Sequence, residues 1–396
     1  MCRPARGALS QPGRPLIDVV AAIPDPRQAR GKRYPLGAVL ALACAALRCG
    51  YRSYSALAEW GRTYGSALLP ALGCTGTRAP CAATLDLIFR RRDGERLEAA
   101  LGPWAEAVRA TAPPALAPAE AQALGGGEGL GLDGTTLRGR HKPGAPGAPL
   151  LAALSQRLGL TVAQTAVDEK TNEITAVQTV WEKVLLAGRV VTVDALLTQR
   201  AVAQAIVGRG GDYVLLAKDN QPHLRQDIAG LLATPAHLAA PLRRAQSVDK
   251  GHGRIERRHL TARALLPGDC DGPGAQQVFR LERRVIRPKT GAVHTAVSEG
   301  LTSRAAAATN PQQLLGFLRD HWHIANKSHW VRAVTFDEDR SPVRSGAIPQ
   351  VMAALRKTTS GLVRGAGVTN IAAACRHDAA QPWAALTLLG IDPRTK

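Results

Sequence analysis

The stretch LGLDGTTLR, residues 130–138, decides the fold of this chain. It is a short β-like run that ends in an aspartate followed at once by glycine, so the carboxylate of Asp133 is expected at the edge of a strand. The segment RVVTVDALLTQ, residues 189–199, repeats the arrangement, because β-branched residues lead into Asp194. Two aspartates carried on strands are typical of a metal site, although an aspartate that closes a strand is more often a turn former or a helix cap.

The order of the elements around the two aspartates predicts an α/β fold. Three β-like runs, residues 130–139, 149–159 and 160–170, are consistent with an antiparallel meander. A helix, the strand that ends at Asp194, a second helix and a fifth strand at residues 211–220 follow. This is the order of the ribonuclease H-like fold, in which the first and fourth strands lie side by side. The two aspartates are therefore expected to meet in space.

The composition indicates a polyanionic partner. The chain has 396 residues, enough for two or three domains, and its 51 Lys and Arg against 31 Asp and Glu give a formal charge of +20. Nucleic acid is the commonest partner of so basic a protein, although a high-GC genome would also favour arginine. Seven cysteines without a C-x-x-C pair argue against a zinc site or a disulfide framework. No apolar run reaches the length of a membrane span, and a cytoplasmic location is expected.

Shifts in composition predict five segments along the chain. In order they are a disordered basic arm (1–15), an all-helical N-terminal domain (16–112), a Pro-, Ala- and Gly-rich linker (113–128), the α/β domain (129–362) with a β-rich insertion at about 229–301, and a C-terminal tail (363–396).

Two neighbouring carboxylates that face a phosphodiester suit divalent-ion chemistry. They can hold two ions roughly 3.5 to 4 Å apart, one activating the attacking oxygen and the other stabilising the leaving oxygen. Hard oxygen ligands favour Mg²⁺, or Mn²⁺ in its place. A third acid, from a helix after the last strand, would complete such a site.

Six motifs together resemble a known family. LGLDGTTLRG, VDEKTNEITAV, VTVDALLTQ, GGDYVLLAKDNQ, GHGRIE and HWHIANKSHW are similar, in order and spacing, to motifs of the DDE transposases of bacterial insertion sequences. The nearest branch includes the H-repeat proteins associated with Rhs elements, and the resemblance covers residues 16–362. It implies a helical associated domain, a ribonuclease H-like core and an endonuclease that cuts and joins DNA in transposition. It also implies terminal repeats and target DNA as partners, and a homodimer is an open expectation.

The resemblance assigns roles to individual residues. Asp133 and Asp194 match the first two catalytic, metal-binding acids, and Thr135 stands where the family usually has lysine. Turn and cap chemistry is the alternative for the KDNQ run, and a salt-bridged hairpin is the alternative for GHGRIE. The expected DNA-binding residues are Arg138, Gln199, Lys218, Asn220, Gln221, His252, Arg254, His321, Trp322, Asn326, Lys327, His329 and Trp330.

The third acid is missing from the late helix. Ala325 stands where the family has glutamate, and Ala333 stands where it has a further aspartate. Residues one helical turn from Ala325, such as His321 and His329, share its face and are not acids. The sequence leaves open an active transposase with two acids, a catalytically inactive relative that occupies or represses transposon ends, and a different metal nuclease or structural DNA-binding protein.

Overall fold

The computed structural model of the chain describes residues 14–28, 32–74, 76–112, 127–137, 148–167, 173–251, 253–341 and 346–392. Almost all of the expected basic arm and most of the expected linker lie outside these ranges. No helix within them is long and apolar enough to cross a membrane.

The described strands form one mixed sheet. Their bounds are β1 Glu128–Leu137, β2 Ala148–Ser155, β3 Leu160–Ala166, β4 Arg189–Val193, β5 Asp212–Ala217, β6 Arg243–Gly251, β7 Arg254–Ala264, β8 Gln277–Arg287 and β9 Ala292–Thr302. Their order across the sheet is β3-β2-β1-β4-β5-β9-β8-β7-β6. β1 to β3 are the predicted antiparallel meander, and β4 pairs in parallel with both β1 and β5. The predicted ribonuclease H-like order is therefore confirmed.

The helices lie on both sides of this sheet and at its ends. Their bounds are α1 Leu16–Ala21, α2 Leu36–Arg48, α3 Tyr54–Leu68, α4 Ala82–Arg90, α5 Gly94–Thr111, α6 Glu173–Glu182, α7 Arg200–Gly208, α8 Pro222–Ala233, α9 Pro311–Ile324, α10 Ile348–Gly365, α11 Ile371–Ala380 and α12 Pro382–Leu389. The α/β class of the core and the helical character of the N-terminal region are both as predicted.

Local sequence explains where the helices of the N-terminal region begin. The hydroxyl of Ser53 accepts a hydrogen bond from the Ala56 N–H ahead of α3, and the carboxylate of Asp93 accepts two from the first turn of α5. Helix α2 consists almost entirely of Leu, Ala, Val and Cys and is buried on all sides. A helix that is apolar all round must be covered all round, and α2 accordingly lies at the centre of the helical part of the protein.

The segment that was expected as a C-terminal tail, residues 363–396, is mostly helical where the structure describes it. Helix α10 continues to Gly365, and α11 and α12 follow, packing with α10 against α2 of the N-terminal region. Leu386 and Leu389 of α12 are fully buried, and Asp378 of α11 forms a buried ion pair with Arg48 of α2. The physical reason is that α2 is apolar on all sides, α1 and α3 contact only part of its surface, and the last helices complete its cover.

The insertion is part of the same sheet. Strands β6 to β9 extend it beyond β5 as an antiparallel meander, with β9 paired to β5 from Val214↔Thr302 to Ala217↔Glu299. The expected bounds of the insertion, residues 229 and 301, fall inside α8 and β9. Helix α9 then crosses one face of the sheet, in contact with β1, β4, β6 and β7.

Candidate active site at Asp133 and Asp194

The two aspartates follow paired residues on neighbouring strands. Leu132 of β1 pairs in parallel with Val193 of β4. Asp133 is the next residue of β1, which continues to Leu137, and Asp194 is the first residue after β4. Adjacent strands lie about 4.8 Å apart, which brings the two carboxylates close together where β4 ends. Both side chains remain partly exposed, at 29% and 40%. Substrate in solution can therefore reach them.

The surroundings of the two carboxylates differ in charge. Burial raises the pKa of Asp133, and the nearby negative charge of Asp194 adds to the rise, although His321 and the Gly134 N–H oppose it. Burial alone would also raise the pKa of Asp194, but hydrogen bonds from Lys218 and from the Ala195 N–H hold that pKa below its ordinary value. Of the two, Asp194 is the more firmly ionised.

Side chains of the KDNQ run, residues 218–221, donate hydrogen bonds to Asp194 and to the segment that follows it. Lys218 Nζ donates to Asp194 Oδ1 at 2.9 Å, Asn220 Nδ2 donates to the Ala195 carbonyl at 3.0 Å, and Gln221 Nε2 donates to the Thr198 carbonyl. The alternative interpretation of this run as turn chemistry accounts for Asn220 and Gln221. Lys218 is different, because its ammonium lies on a candidate metal ligand.

His321 reaches the site from α9. Its Nδ1 lies 2.8 Å from Thr192 Oγ1, which accepts a hydrogen bond from Gln156 Nε2 at 2.6 Å. This chain fixes the orientation of the imidazole. Burial lowers the pKa of His321, although the carboxylates of Asp133 and Asp194 act in the opposite direction. We conclude that a neutral imidazole stands beside the two acids at pH 7.

The late helix changes its geometry at the position of the missing acid. After α9 it continues as two π-helical segments, Ala325–His329 and Val331–Thr335. Such segments are frequent at functional sites. The second histidine, His329, places Nε2 3.6 Å from Asp133 Oδ2, and burial lowers its pKa. Residues 323–326 contribute only their backbone to the described structure, which leaves the side chains of Ala325 and Asn326 outside it.

The other expected DNA-binding residues have varied surroundings. Arg138 and His252 lie outside the described residues. Arg254 lies 3.8 Å from Glu256 at a hairpin tip, as the salt-bridge alternative predicted, and Trp322 contacts the guanidinium groups of Arg258 and Arg283. Three residues remain. Lys327 donates to the Gln156 carbonyl at 3.0 Å, and Trp330 is 53% exposed. Gln199 precedes α7, and its side chain makes no capping hydrogen bond.

Two acids of this region, Glu338 and Asp320, lie near basic side chains. Glu338 is buried between Arg332, at 2.8 Å, and Arg356, at 3.2 Å. Its two oxygens are already committed to these guanidinium groups. Asp320 lies near the side chain of Lys327 and acts on its pKa. No signal in the sequence indicated the pairing of Lys218 with Asp194, because it joins residues that follow two different strands through space.

The carboxylates of Asp133 and Asp194 are the donors that this site offers to a metal ion. Among the described residues, no three His, Cys, Asp or Glu side chains are placed to hold a metal ion together. Asp133 and Asp194 offer hard oxygens, which Mg²⁺ and Mn²⁺ prefer. The ammonium of Lys218 already occupies one oxygen of Asp194. The positive charge of this ammonium would repel an ion bound beside it.

Comparison with known proteins agrees with this geometry. The chain belongs to the family described as "Transposase DDE domain", whose model matches residues 125–360, and a second model, "DDE_Tnp_1-associated", matches residues 17–105. The function of this family is DNA transposition, and its members generally use divalent metal ions.

Several relatives are similar over most of their length. A protein of Xanthobacter autotrophicus named for the dhlA 3' region is 36% identical over 66% of this chain and 86% of its own. "Putative transposase YncI" of Escherichia coli O157:H7 is 24% identical over 88% of this chain and 87% of its own. A solved structure, a piggyBac transposase synaptic complex with hairpin DNA, aligns with 96% of this chain and 78% of the piggyBac chain. The sequence identity is 9% and the TM-score is 0.42.

Proposed function

We propose that this chain is an insertion-sequence transposase that binds transposon-end DNA and whose metal-dependent cleavage and strand transfer are impaired. The observation that carries the proposal is the make-up of the site. Two strand-borne aspartates are adjacent, as the chemistry requires, while the described late-helix side chains near them are the histidines His321 and His329. The DNA partner is supported by the family and by the charge of +20.

Each residue of the site would have a separate role in DNA cleavage. Asp133 and Asp194 would hold a divalent ion, which supplies Lewis acidity toward a phosphate oxygen. Thr192 and Gln156 hold His321 in place beside the carboxylates, where its neutral imidazole can donate or accept one hydrogen bond. Lys218 can move from Asp194 to a phosphate, since both are anionic acceptors. The third carboxylate that would share the ion is what this chain lacks.

A catalytically inactive protein that occupies or represses transposon ends is the second candidate. The ion pair between Lys218 and Asp194 favours the inactive protein, because the lysine neutralises this carboxylate without any metal ion. The two candidates differ in one measurement, which is Mg²⁺- or Mn²⁺-dependent nicking of DNA that flanks the gene. Slow nicking that disappears in Asp133→Asn supports the impaired enzyme, and binding without any nicking supports the inactive relative.

Binding of DNA should depend steeply on salt. Each phosphate contacted by Lys or Arg releases counterions, so the affinity should fall at least about a hundredfold between roughly 50 and 200 mM salt. Fluorescence anisotropy with a labelled duplex measures this slope. A flat response would remove nucleic acid from the list of partners and with it the proposed function.

Lys218→Met should strengthen metal binding. Removing the ammonium from Asp194 frees a ligand oxygen and removes repulsion, and an exposed ion pair is worth up to about 1 kcal/mol, so Mn²⁺ affinity should rise roughly two- to fivefold. Calorimetry or the spin resonance of free Mn²⁺ measures the affinity without reference to cleavage. Lys289→Met, a charge-matched change at an exposed hairpin tip, is the control and should leave Mn²⁺ binding unchanged. Equal affinities in wild type and Lys218→Met would show that the lysine does not compete with the ion.

A further inference from the structure

Three buried polar side chains connect the turn after β2 to α9 beside the aspartates. They are Gln156, which follows β2, Thr192 of β4 and His321 of α9, and they are only 3%, 1% and 8% exposed. Thr192 lies two residues before Asp194, so both side chains point to the same face of the sheet. The carboxylates of Asp133 and Asp194 both oppose the fall in the pKa of His321, so the imidazole lies near them. We call Gln156, Thr192 and His321 the polar relay.

The amide of Gln156 is held in one orientation. Its Nε2 donates to Thr192 Oγ1 at 2.6 Å and to the Phe317 carbonyl at 3.4 Å. A carbonyl oxygen can only accept, so the amide nitrogen of Gln156 faces both partners. The main chain is held as well, because the Gln156 N–H donates to the Gly129 carbonyl at 2.9 Å and its carbonyl accepts from Lys327 at 3.0 Å. Gln156 therefore presents a fixed donor to the Thr192 hydroxyl.

The Thr192 hydroxyl donates to the imidazole. Among the described residues its hydrogen-bond partners are Gln156 and His321, and Gln156 is the donor to its oxygen. The proton of the hydroxyl needs an acceptor, and His321 Nδ1, at 2.8 Å, is the partner that can accept it. A ring nitrogen that accepts carries no proton, so the proton of the neutral imidazole is on Nε2. The polar relay thus selects one of the two tautomers.

This tautomer distinguishes between two roles for His321. A histidine that binds a metal ion through Nε2 carries its proton on Nδ1 and donates that proton to a neighbouring acceptor. If Thr192 accepted such a proton, its own hydroxyl proton would lose its acceptor at a buried position, which is costly. A protonated Nε2 instead makes the ring a hydrogen-bond donor. An oxygen of a DNA phosphate at the two aspartates is a charged acceptor for it.

We propose that Gln156 and Thr192 are positioning residues that hold His321 as the Nε2–H tautomer, so that this imidazole donates to a phosphate oxygen of DNA at the two aspartates and does not ligate the metal ion. The identity of the acceptor rests on the proposed function. The tautomer rests on the hydrogen bonds of the protein alone. The part played by Thr192 requires a hydroxyl, which serine supplies and valine does not.

The tautomer is measured by nuclear magnetic resonance of protein labelled with ¹⁵N-histidine, at about pH 8, where an ordinary histidine is neutral. Long-range proton–nitrogen correlations distinguish Nε2–H from Nδ1–H, and the signal that disappears in His321→Phe belongs to His321. Wild type and Thr192→Ser should both show Nε2–H. Thr192→Val should show a mixture of tautomers. Thr358→Val, which removes a buried hydroxyl from α10, is the control and should keep the tautomer of wild type.

A second variant tests the polar relay at its other end. Gln156→Met keeps the length of the side chain and removes the amide donor, so it too should show a mixture of tautomers. The signals of the other histidines verify that each variant folds. Nδ1–H in wild type, or pure Nε2–H in both Thr192→Val and Gln156→Met, would overturn the proposal. A nitrogen coupling to bound Mn²⁺ that disappears in His321→Phe would show that the imidazole is a ligand and would overturn it as well.

The acceptor is tested by binding of a labelled duplex from the DNA that flanks the gene. His321→Phe loses a hydrogen bond to a charged group and should bind roughly ten- to hundredfold more weakly than wild type. Thr192→Val should lose part of this affinity, and Thr192→Ser and Thr358→Val should keep it. If His321→Phe binds as tightly as wild type, the imidazole does not donate to phosphate. A wild type that binds no DNA contradicts the proposed function, whereas the tautomer is measured without DNA.

Discussion

Ala325→Glu combined with Ala333→Asp should raise DNA cleavage by at least about a hundredfold. Both changes put carboxylates at the two positions of the late helix where the resemblance to DDE transposases implies acids and this chain has methyl groups. Stabilisation of the reacting phosphate by a fully liganded metal is worth several kcal/mol, and each 1.36 kcal/mol is a factor of ten in rate. The measurement is the single-turnover rate of nicking, with Mg²⁺ or Mn²⁺, of DNA that flanks the gene.

Two comparisons make the result specific. Adding Asp194→Asn to the double variant should abolish the gain, because the new carboxylates act only together with the strand-borne acids. Ala325→Glu alone should give part of the gain. If wild type already cuts as fast as the double variant, the site is not impaired. If the double variant binds both metal and DNA and still does not cut, the missing carboxylates are not the cause of the impairment.

Glu338→Ala should destabilise the protein by about 3 to 5 kcal/mol. The change leaves Arg332 and Arg356 buried without their common anion, and removing one partner from a buried ion pair costs about that much. Arg356 also donates to the Arg52 carbonyl at 3.2 Å, so the loss affects the contact between α10 and the N-terminal region. Urea unfolding at pH 7 measures the change. Glu282→Ala, at an exposed position, should change stability by less than about 0.5 kcal/mol.

Glu338 also makes the stability of the folded protein depend on pH. Burial alone would raise the pKa of Glu338, but Arg332 and Arg356 hold that pKa below its ordinary value. A carboxylate whose pKa is lower in the folded state contributes its stability above the unfolded pKa and loses it as the pH falls through the folded pKa. The difference in stability between wild type and Glu338→Ala should therefore be largest near neutrality and shrink in acid. A difference that grows as the pH falls would contradict this account.

The sequence predicted the core of the fold because its signals there are local. The alternation around Asp133 and the β-branched run before Asp194 identify two strands, and the order of elements then fixes their adjacency. Helices α11 and α12 were not predicted, because their apolar residues pack against α2, which is far away in sequence. The contacts of Lys218 and His321 were also beyond reach, since both depend on side-chain positions set by tertiary packing.

The single sheet that joins the aspartates to the outer ends of β6 to β9 has a mechanical consequence. Strand β9 is hydrogen-bonded to β5 along Val214–Ala217 and extends beyond β5 to Ala292, so a swing of its outer end would break these main-chain hydrogen bonds. We therefore expect a stiff frame, in which the outer strands and the two aspartates keep one fixed angle to each other.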